Sequence, residues 1–167
     1  ERSGADNVVI LSGDHIYRMD YAEMVRFHNE SSAGLTVACM EVSEDEAKGF
    51  GVISIDEQRR IGAFDEKPEH PQSIPGKPGR SMASMGIYVF RREVLVAALR
   101  KDHANKLSSH DFGKDILPEL IQSEAVYAYQ FGGTQGRVTA DGYWRDVGTV
   151  DSYFEANMDL LRPVPPL

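Results

Sequence analysis

The sequence predicts an α/β fold, a mixed, mainly parallel sheet covered by helices. Three observations carry this. Apolar runs at residues 8–11, 35–42 and 85–90 are rich in Val and Ile and have the length of buried strands. Between the first two, Tyr21, Met24, Val25 and His28 recur at helical spacing, so the chain reads strand, helix, strand, a βαβ unit with a parallel pair. Residues 51–55 and 60–64 are strand-like runs separated only by 56–59, which reads as a hairpin and adds antiparallel strands.

The elements follow in order. Val8-Val9-Ile10-Leu11 stops at Ser12-Gly13, and Asp14 follows at once. Asp20-Tyr21-Ala22-Glu23 has the form of a helix cap, with Glu23 placed to reach back. Residues 68–81 hold four prolines and two glycines and predict a loop. Residues 93–101 predict a helix with Val94, Leu95, Ala98 and Leu99 on one face. A helix over 112–122 must place Pro118 in a first turn or a kink. Residues 125–131 read as a strand and 132–142 as Gly-rich and irregular. A last helix over 150–161 is expected to pack Val150, Tyr153, Phe154, Met158 and Leu161 inward.

Composition narrows the function. The net charge of −8 argues against a nucleic-acid partner, which calls for a basic face. It does not argue against nucleotides, since a metal ion neutralises phosphate locally. The single cysteine, Cys39, allows no internal disulfide and no zinc set, and reads as a buried strand residue. No apolar stretch approaches the roughly 20 residues of a membrane span, and no signal peptide is visible, so the cytoplasm is the expected location.

Four segments carry candidate chemistry. Asp14 stands at a strand end, where open α/β sheets bind ligands, and fits a hard divalent cation such as Mg²⁺. In Tyr143-Trp144-Arg145-Asp146-Val147-Gly148-Thr149, Asp146 supplies a second metal carboxylate and Trp144 a flat wall for a sugar. The bland alternative pairs Asp146 with Arg145 or with the helix start and buries Trp144 in the core. In Glu66-Lys67-Pro68, proline holds Lys67 extended, a point charge for a phosphate, while Glu66 can accept from sugar hydroxyls. Ser109-His110-Asp111-Phe112-Gly113-Lys114-Asp115 mixes hydroxyl-reading groups with an aromatic, or simply caps a helix. His15 and His110 lack a triad setting and receive no catalytic role.

Together with Phe50-Gly51-Val52 and Ala83-Ser84-Met85-Gly86-Ile87-Tyr88-Val89-Phe90, these segments occur in an order that resembles the glucose-1-phosphate adenylyltransferases (ADP-glucose pyrophosphorylases) over residues 7–161. The resemblance implies a nucleotide-diphospho-sugar transferase-like, Rossmann-like fold. It implies transfer of an adenylyl group from ATP to glucose 1-phosphate, giving ADP-glucose and pyrophosphate for glycogen or starch synthesis. It puts metal aspartates on Asp14 and Asp146, the sugar-phosphate lysine on Lys67 beside Glu66, and sugar-nucleotide contacts on Gly51 and Ser84. Tyr88, Asp111, Phe112 and Trp144 fall on positions lining the glucose pocket. Mg²⁺, a cytoplasmic allosteric enzyme and a homotetramer of the full-length protein are the family's expectations.

The family's Gly-rich triphosphate loop has no counterpart here; Gly132-Gly133 lacks its basic sequel. Residues 1–161 therefore read as a nucleotidyltransferase domain truncated at its N-terminus. Residues 162–167 read as a linker stub towards an absent C-terminal β-helix domain, and the isolated chain is expected to have little transferase activity. Two other readings stand beside this one: a sibling enzyme using UTP, dTTP or GTP, and a non-catalytic regulatory subunit.

Overall fold

In a computed structural model that describes residues 4–132 and 142–167, the apolar runs assemble around one long strand. The elements are β1 (Asn7–Ile10), β2 (His15–Tyr17), α1 (Tyr21–Glu30), β3 (Leu35–Ser43), α2 (Glu44–Ala47), β4 (Gly51–Ile55), β5 (Ile61–Glu66) and β6 (Arg80–Arg91). They continue as α3 (Arg92–Ala104), a π-helical turn (Phe112–Ile116), α4 (Leu117–Ser123), β7 (Val126–Gln130), β8 (Trp144–Asp146) and α5 (Val150–Leu160). The sheet order is β5-β4-β6-β3-β7, with β1 also on β6, while β2 and β8 form a separate two-stranded ribbon. No helix among the described residues is long and apolar enough to cross a membrane.

The architecture is the expected mixed sheet with helices, but adjacency differs from expectation. β1 and β3 run the same way without pairing: each is antiparallel to β6, which lies between them. Among the described strand pairs only β3–β7 is parallel, so the sheet is mixed but not mainly parallel as expected, because β6 inserts antiparallel between β1 and β3. The βαβ pattern fixes the relative direction of two strands and leaves open whether a later strand inserts between them. The β4–β5 hairpin forms as predicted. In its turn the Asp56 carboxylate accepts from Gln58 N at 2.9 Å and Arg60 N at 2.8 Å.

β6 positions the site. One edge pairs with β3; the other pairs with β4 through Ala83 and Met82, and with β1 from Tyr88 to Arg91. Residues 84–87 face the gap between the end of β1 and the start of β4. Here Val37 pairs with Tyr88 and Cys39 with Ser84, so β6 carries two extra residues. An even insertion keeps every side chain on its own face. Gly86 takes φ +66° within it, and a Cβ there would come 3.4 Å from His15 Cε1.

The two faces are covered separately. Leu35, Val37, Cys39, Tyr88 and Phe90 pack with Val94 and Leu95 of α3 and Ile116, Leu117 and Leu120 beyond it. Ala38, Met85, Ile87 and Val89 pack with Met24 of α1 and Phe131, with Tyr17 and Trp144 alongside. Pro118 sits in the first turn of α4, as required.

Three local expectations need correction. Asp20 caps α1 through Ala22 N at 3.1 Å, but Glu23 does not reach back; it binds Arg26 at 2.6 Å. Strand structure begins at Arg80, inside the expected loop 68–81, because Ser81 to Ser84 pair with β3. Helix α5 forms, yet Val150, Tyr153, Phe154, Met158 and Leu161 are exposed, and its buried residues are Ala156 and Asp159. Asp159 accepts from Tyr143 OH at 3.0 Å and from Arg145 Nη2 at 2.9 Å, and these polar contacts orient the helix. Most of the irregular stretch 132–142, including Gly133, lies outside the described residues.

Candidate functional site

At the gap along β6 the structure forms a cavity of about 410 Å³, the size of a small-molecule site. Its floor is Ser84, Gly86 and Tyr88 of β6; one wall is Gly51 of β4 with Phe64 and Glu66 of β5 and then Lys67. The opposite wall is His110, Asp111, Phe112 and Gly113, and Ser12, His15 and Asp146 close the end. Segments more than 130 residues apart in the chain thus converge (Ser12 to Asp146).

Close packing sets this shape. A Cβ on Gly51 would lie 2.9 Å from Phe64 Cε2 and 3.1 Å from Glu66 Oε2, and one on Gly113 would lie 2.7 Å from the same oxygen. Only glycine at both positions lets the Phe64 ring and the Glu66 carboxylate sit between β4 and the π-helical turn. Tyr88 stacks on Phe112, with ring centroids 5.7 Å apart and planes 17° apart. Burial pushes the Tyr88 hydroxyl up from its ordinary value, partly offset by its hydrogen bond with Ser84, so it stays protonated.

Lys67 differs from expectation. Its φ is +48°, left-handed rather than extended, and its N–H donates to Phe50 O at 3.1 Å. That backbone bond overrides the preference of a pre-proline residue. Lys67 is the one lysine or arginine among the residues lining the cavity, against the carboxylates Glu66, Asp111 and Asp146.

Asp14 and Asp146 come together at the ribbon. His15 pairs directly with Asp146 across β2–β8, and Val147 N donates to Asp14 O at 3.0 Å. Asp146 Oδ1 accepts from Gly148 N at 2.9 Å, and a Cβ on Gly148 would meet Asp146 Oδ1 at 3.1 Å and Asp14 Oδ2 at 3.6 Å. One donor atom each from Asp14, His15 and Asp146 lie within 4.8 Å of one another. A hydrogen bond from Ser12 Oγ, 2.7 Å away, holds the Asp14 carboxyl below the usual carboxylate range. Two exposed-edge carboxylates suit a hard divalent ion that keeps its remaining positions for water and phosphate oxygens. The buried, unpartnered Nδ1 of His15 is a further polar atom at this end.

Of the residues singled out in the sequence, Gly51, Glu66, Lys67, Ser84, Tyr88, Asp111, Phe112 and Asp146 line the cavity, and Asp14 adjoins it through Asp146. Trp144 does not line it. Trp144 packs edge-on against His15 at 4.9 Å and Phe50 at 5.2 Å, backing two lining residues instead of touching the space itself. Arg145 pairs with Asp159, not with Asp146. Sequence reasoning passed over His15 and His110 as site residues. Their position directly beside Asp14 and Asp111 was the available signal.

A mixed α/β sheet here gathers carboxylates, a lysine and hydroxyl-bearing side chains around one cavity. The nucleotidyl transferase family profile matches residues 1–162, and the chain belongs to that family. Within it, the chain is 59% identical over all its 167 residues to a protein named glucose-1-phosphate adenylyltransferase 2 from Vibrio vulnificus (strain YJ016). It is 54% identical over 96% of its length to the glucose-1-phosphate adenylyltransferase of Alteromonas mediterranea, and 48% identical over 97% to that of Paramagnetospirillum magneticum. The chain spans 41%, 37% and 38% of the lengths of these relatives.

Proposed function

We propose that this chain carries the sugar-phosphate and metal-binding part of a glucose-1-phosphate adenylyltransferase, which makes ADP-glucose and pyrophosphate from ATP and glucose 1-phosphate. The observation that carries the reading is the convergence of Glu66, Lys67, Ser84, Tyr88, Asp111 and Phe112 with Asp146 around one cavity. Lys67 neutralises the sugar phosphate. Glu66 and Asp111 accept from sugar hydroxyls, while Ser84 and Tyr88 line the floor with hydroxyls and Phe112 with an apolar ring. Asp14 and Asp146 would hold Mg²⁺, which when bound neutralises and aligns phosphate oxygens.

The chain's own contribution to transfer is positioning. The sugar phosphate oxygen must meet the α-phosphorus of ATP in line, and fixed charges do most of the work in such a transfer. The triphosphate would be gripped by polypeptide outside these 167 residues. A cytoplasmic homotetramer with a role in glycogen synthesis and allosteric control belongs to the same proposal for the whole protein.

The test is isothermal titration of the chain with glucose 1-phosphate and Mg²⁺. Saturable binding is expected. Lys67→Ala should weaken it about 10–100-fold, the size of a lost charge-assisted hydrogen bond. A folded chain that binds no glucose 1-phosphate would refute the assignment.

A further inference from the structure

His110 lines the same cavity and has been given no role so far. Among the described residues four non-glycine positions take φ in the left-handed region: Ser32, Arg59, Lys67 and His110. Ser32 follows α1 and Arg59 sits in the β4–β5 turn, where such φ is commonplace. Lys67 and His110 are the two that line the cavity. Unfavourable backbone at a cavity wall persists only where the surroundings fix it.

The surroundings of His110 do so. Its N–H donates to Ser108 Oγ at 3.0 Å, and its Nδ1 lies 2.6 Å from Asp102 Oδ2. Ser108 Oγ donates to the other Asp102 oxygen. On the far side, Asp115 Oδ2 accepts from Ser109 Oγ at 2.6 Å and from Asp111 N at 3.0 Å. Two carboxylates, one from α3 and one from the π-helical turn, thus fasten the loop that presents His110 and Asp111 together.

This arrangement fixes the chemistry of the ring. The hydrogen bonds from Ser108 and His110 hold Asp102 below the usual carboxylate range, so it is an anion and can only accept. Nδ1 must then carry a proton towards Asp102, which leaves Nε2 as the ring nitrogen open to a ligand. No described protein group hydrogen-bonds Nε2, and the side chain is 56% exposed, so it is not there to fill the core. A ring nitrogen held in this way suits a hydroxyl, which can both donate and accept, whereas the cation Lys67 suits a phosphate.

We propose that His110 is a further substrate-binding residue whose Nε2 hydrogen-bonds one hydroxyl of the hexose, with Asp102 the positioning residue that holds the Nδ1 proton and the ring orientation. This rests on the sugar-phosphate reading above. It divides recognition of one ligand between Lys67, which reads the phosphate, and His110, which reads the sugar.

The test is titration of the 167-residue chain with glucose 1-phosphate, its 2-, 3-, 4- and 6-deoxy analogues, and inorganic phosphate. His110→Asn is the main variant, because asparagine tolerates the left-handed backbone. Asp102→Asn, whose amide no longer dictates the tautomer, is the second, and Lys67→Ala is the control. His110→Asn should bind glucose 1-phosphate about tenfold more weakly, the effect of one lost hydrogen bond, and inorganic phosphate unchanged. One deoxy analogue should show no further loss in the variant, because the missing hydroxyl is the partner of the missing ring. Asp102→Asn should reproduce that non-additivity with a smaller loss. Wild-type affinity in His110→Asn, or additive losses for all four analogues, overturns the proposal while Lys67→Ala still upholds the sugar-phosphate reading. Failure of the folded wild type to bind glucose 1-phosphate overturns both.

Discussion

Two Gly→Ala substitutions on adjacent strands should have opposite signs. At Gly51 the new methyl falls inside the van der Waals envelope of the Phe64 ring and 3.1 Å from Glu66 Oε2. The ring cannot retreat freely, because it also lies against Gly113, where an added Cβ would be 3.2 Å from Phe64 Cε1. Overpacking of this kind costs about 1–3 kcal/mol. Alanine returns about 0.4–1 kcal/mol by restricting the unfolded chain. The net expectation for Gly51→Ala is a loss of about 1–2 kcal/mol, or roughly 2–8 °C in Tm for a chain of this size. Gly62 on β5 has nothing within 4 Å of its ideal Cβ, so Gly62→Ala keeps only the gain and should be neutral to slightly stabilising. Urea denaturation with a common m-value provides the comparison. Because Phe64 and Glu66 form the cavity wall, Gly51→Ala should also weaken glucose 1-phosphate about tenfold, and Gly62→Ala should not. Equal stability and affinity in Gly51→Ala and wild type would refute the steric account of the wall.

The other predictions concern buried polar groups. Burial, aided by the nearby Arg91 charge, lowers the His28 pKa from the usual 6.5 to about 4, and its Nδ1 bonds Thr36 Oγ1 at 2.9 Å. Between those pH values the unfolded chain takes up a proton that the folded chain refuses. Stability is therefore full above pH 6.5 and falls as pH drops towards 4. The loss is on the order of 3 kcal/mol, and pH-dependent urea melts of wild type and His28→Gln should differ by it. Burial tends to raise the Asp159 carboxyl, but Arg145 and Tyr143 outweigh it and hold it below the usual range. Asp159→Ala should lose about 1–3 kcal/mol and loosen α5, which faster amide exchange at residues 150–160 would register; an unchanged melt would deny that Asp159 anchors the helix. The Cys39 thiol, fully buried and pushed up to about 12, should resist a thiol reagent in the folded chain and react on denaturation.

The site was legible to the extent that it is written in short contiguous words. Glu66-Lys67, Asp111-Phe112 and Ser84 to Tyr88 each carry their chemistry within a few residues, and each lines the cavity. Apolar periodicity likewise reports which runs become strands and helices. Periodicity is blind to partners. The apolar face of α5 is real, yet it points outward, since a pattern states that a face is apolar and not what it meets. The ribbon β2–β8 escaped notice because three-residue strands carry no period. Trp144 read as a sugar wall because an aromatic beside an acid looks the same whether it lines a pocket or backs one.

By itself, the sequence determined the class of fold, the hairpin, the capping of α1 by Asp20 and the family to which the chain belongs. These follow from local spacing and from motifs that survive translation into any register. Tertiary structure alone decided that β6 separates β1 from β3, that residues 84–87 of β6 face a gap, and that His110 stands on its wall with Asp102 behind it. Those facts depend on which strand pairs with which, across separations of tens of residues. Such pairing is fixed by the packing of the whole core, and no local window of the chain contains it.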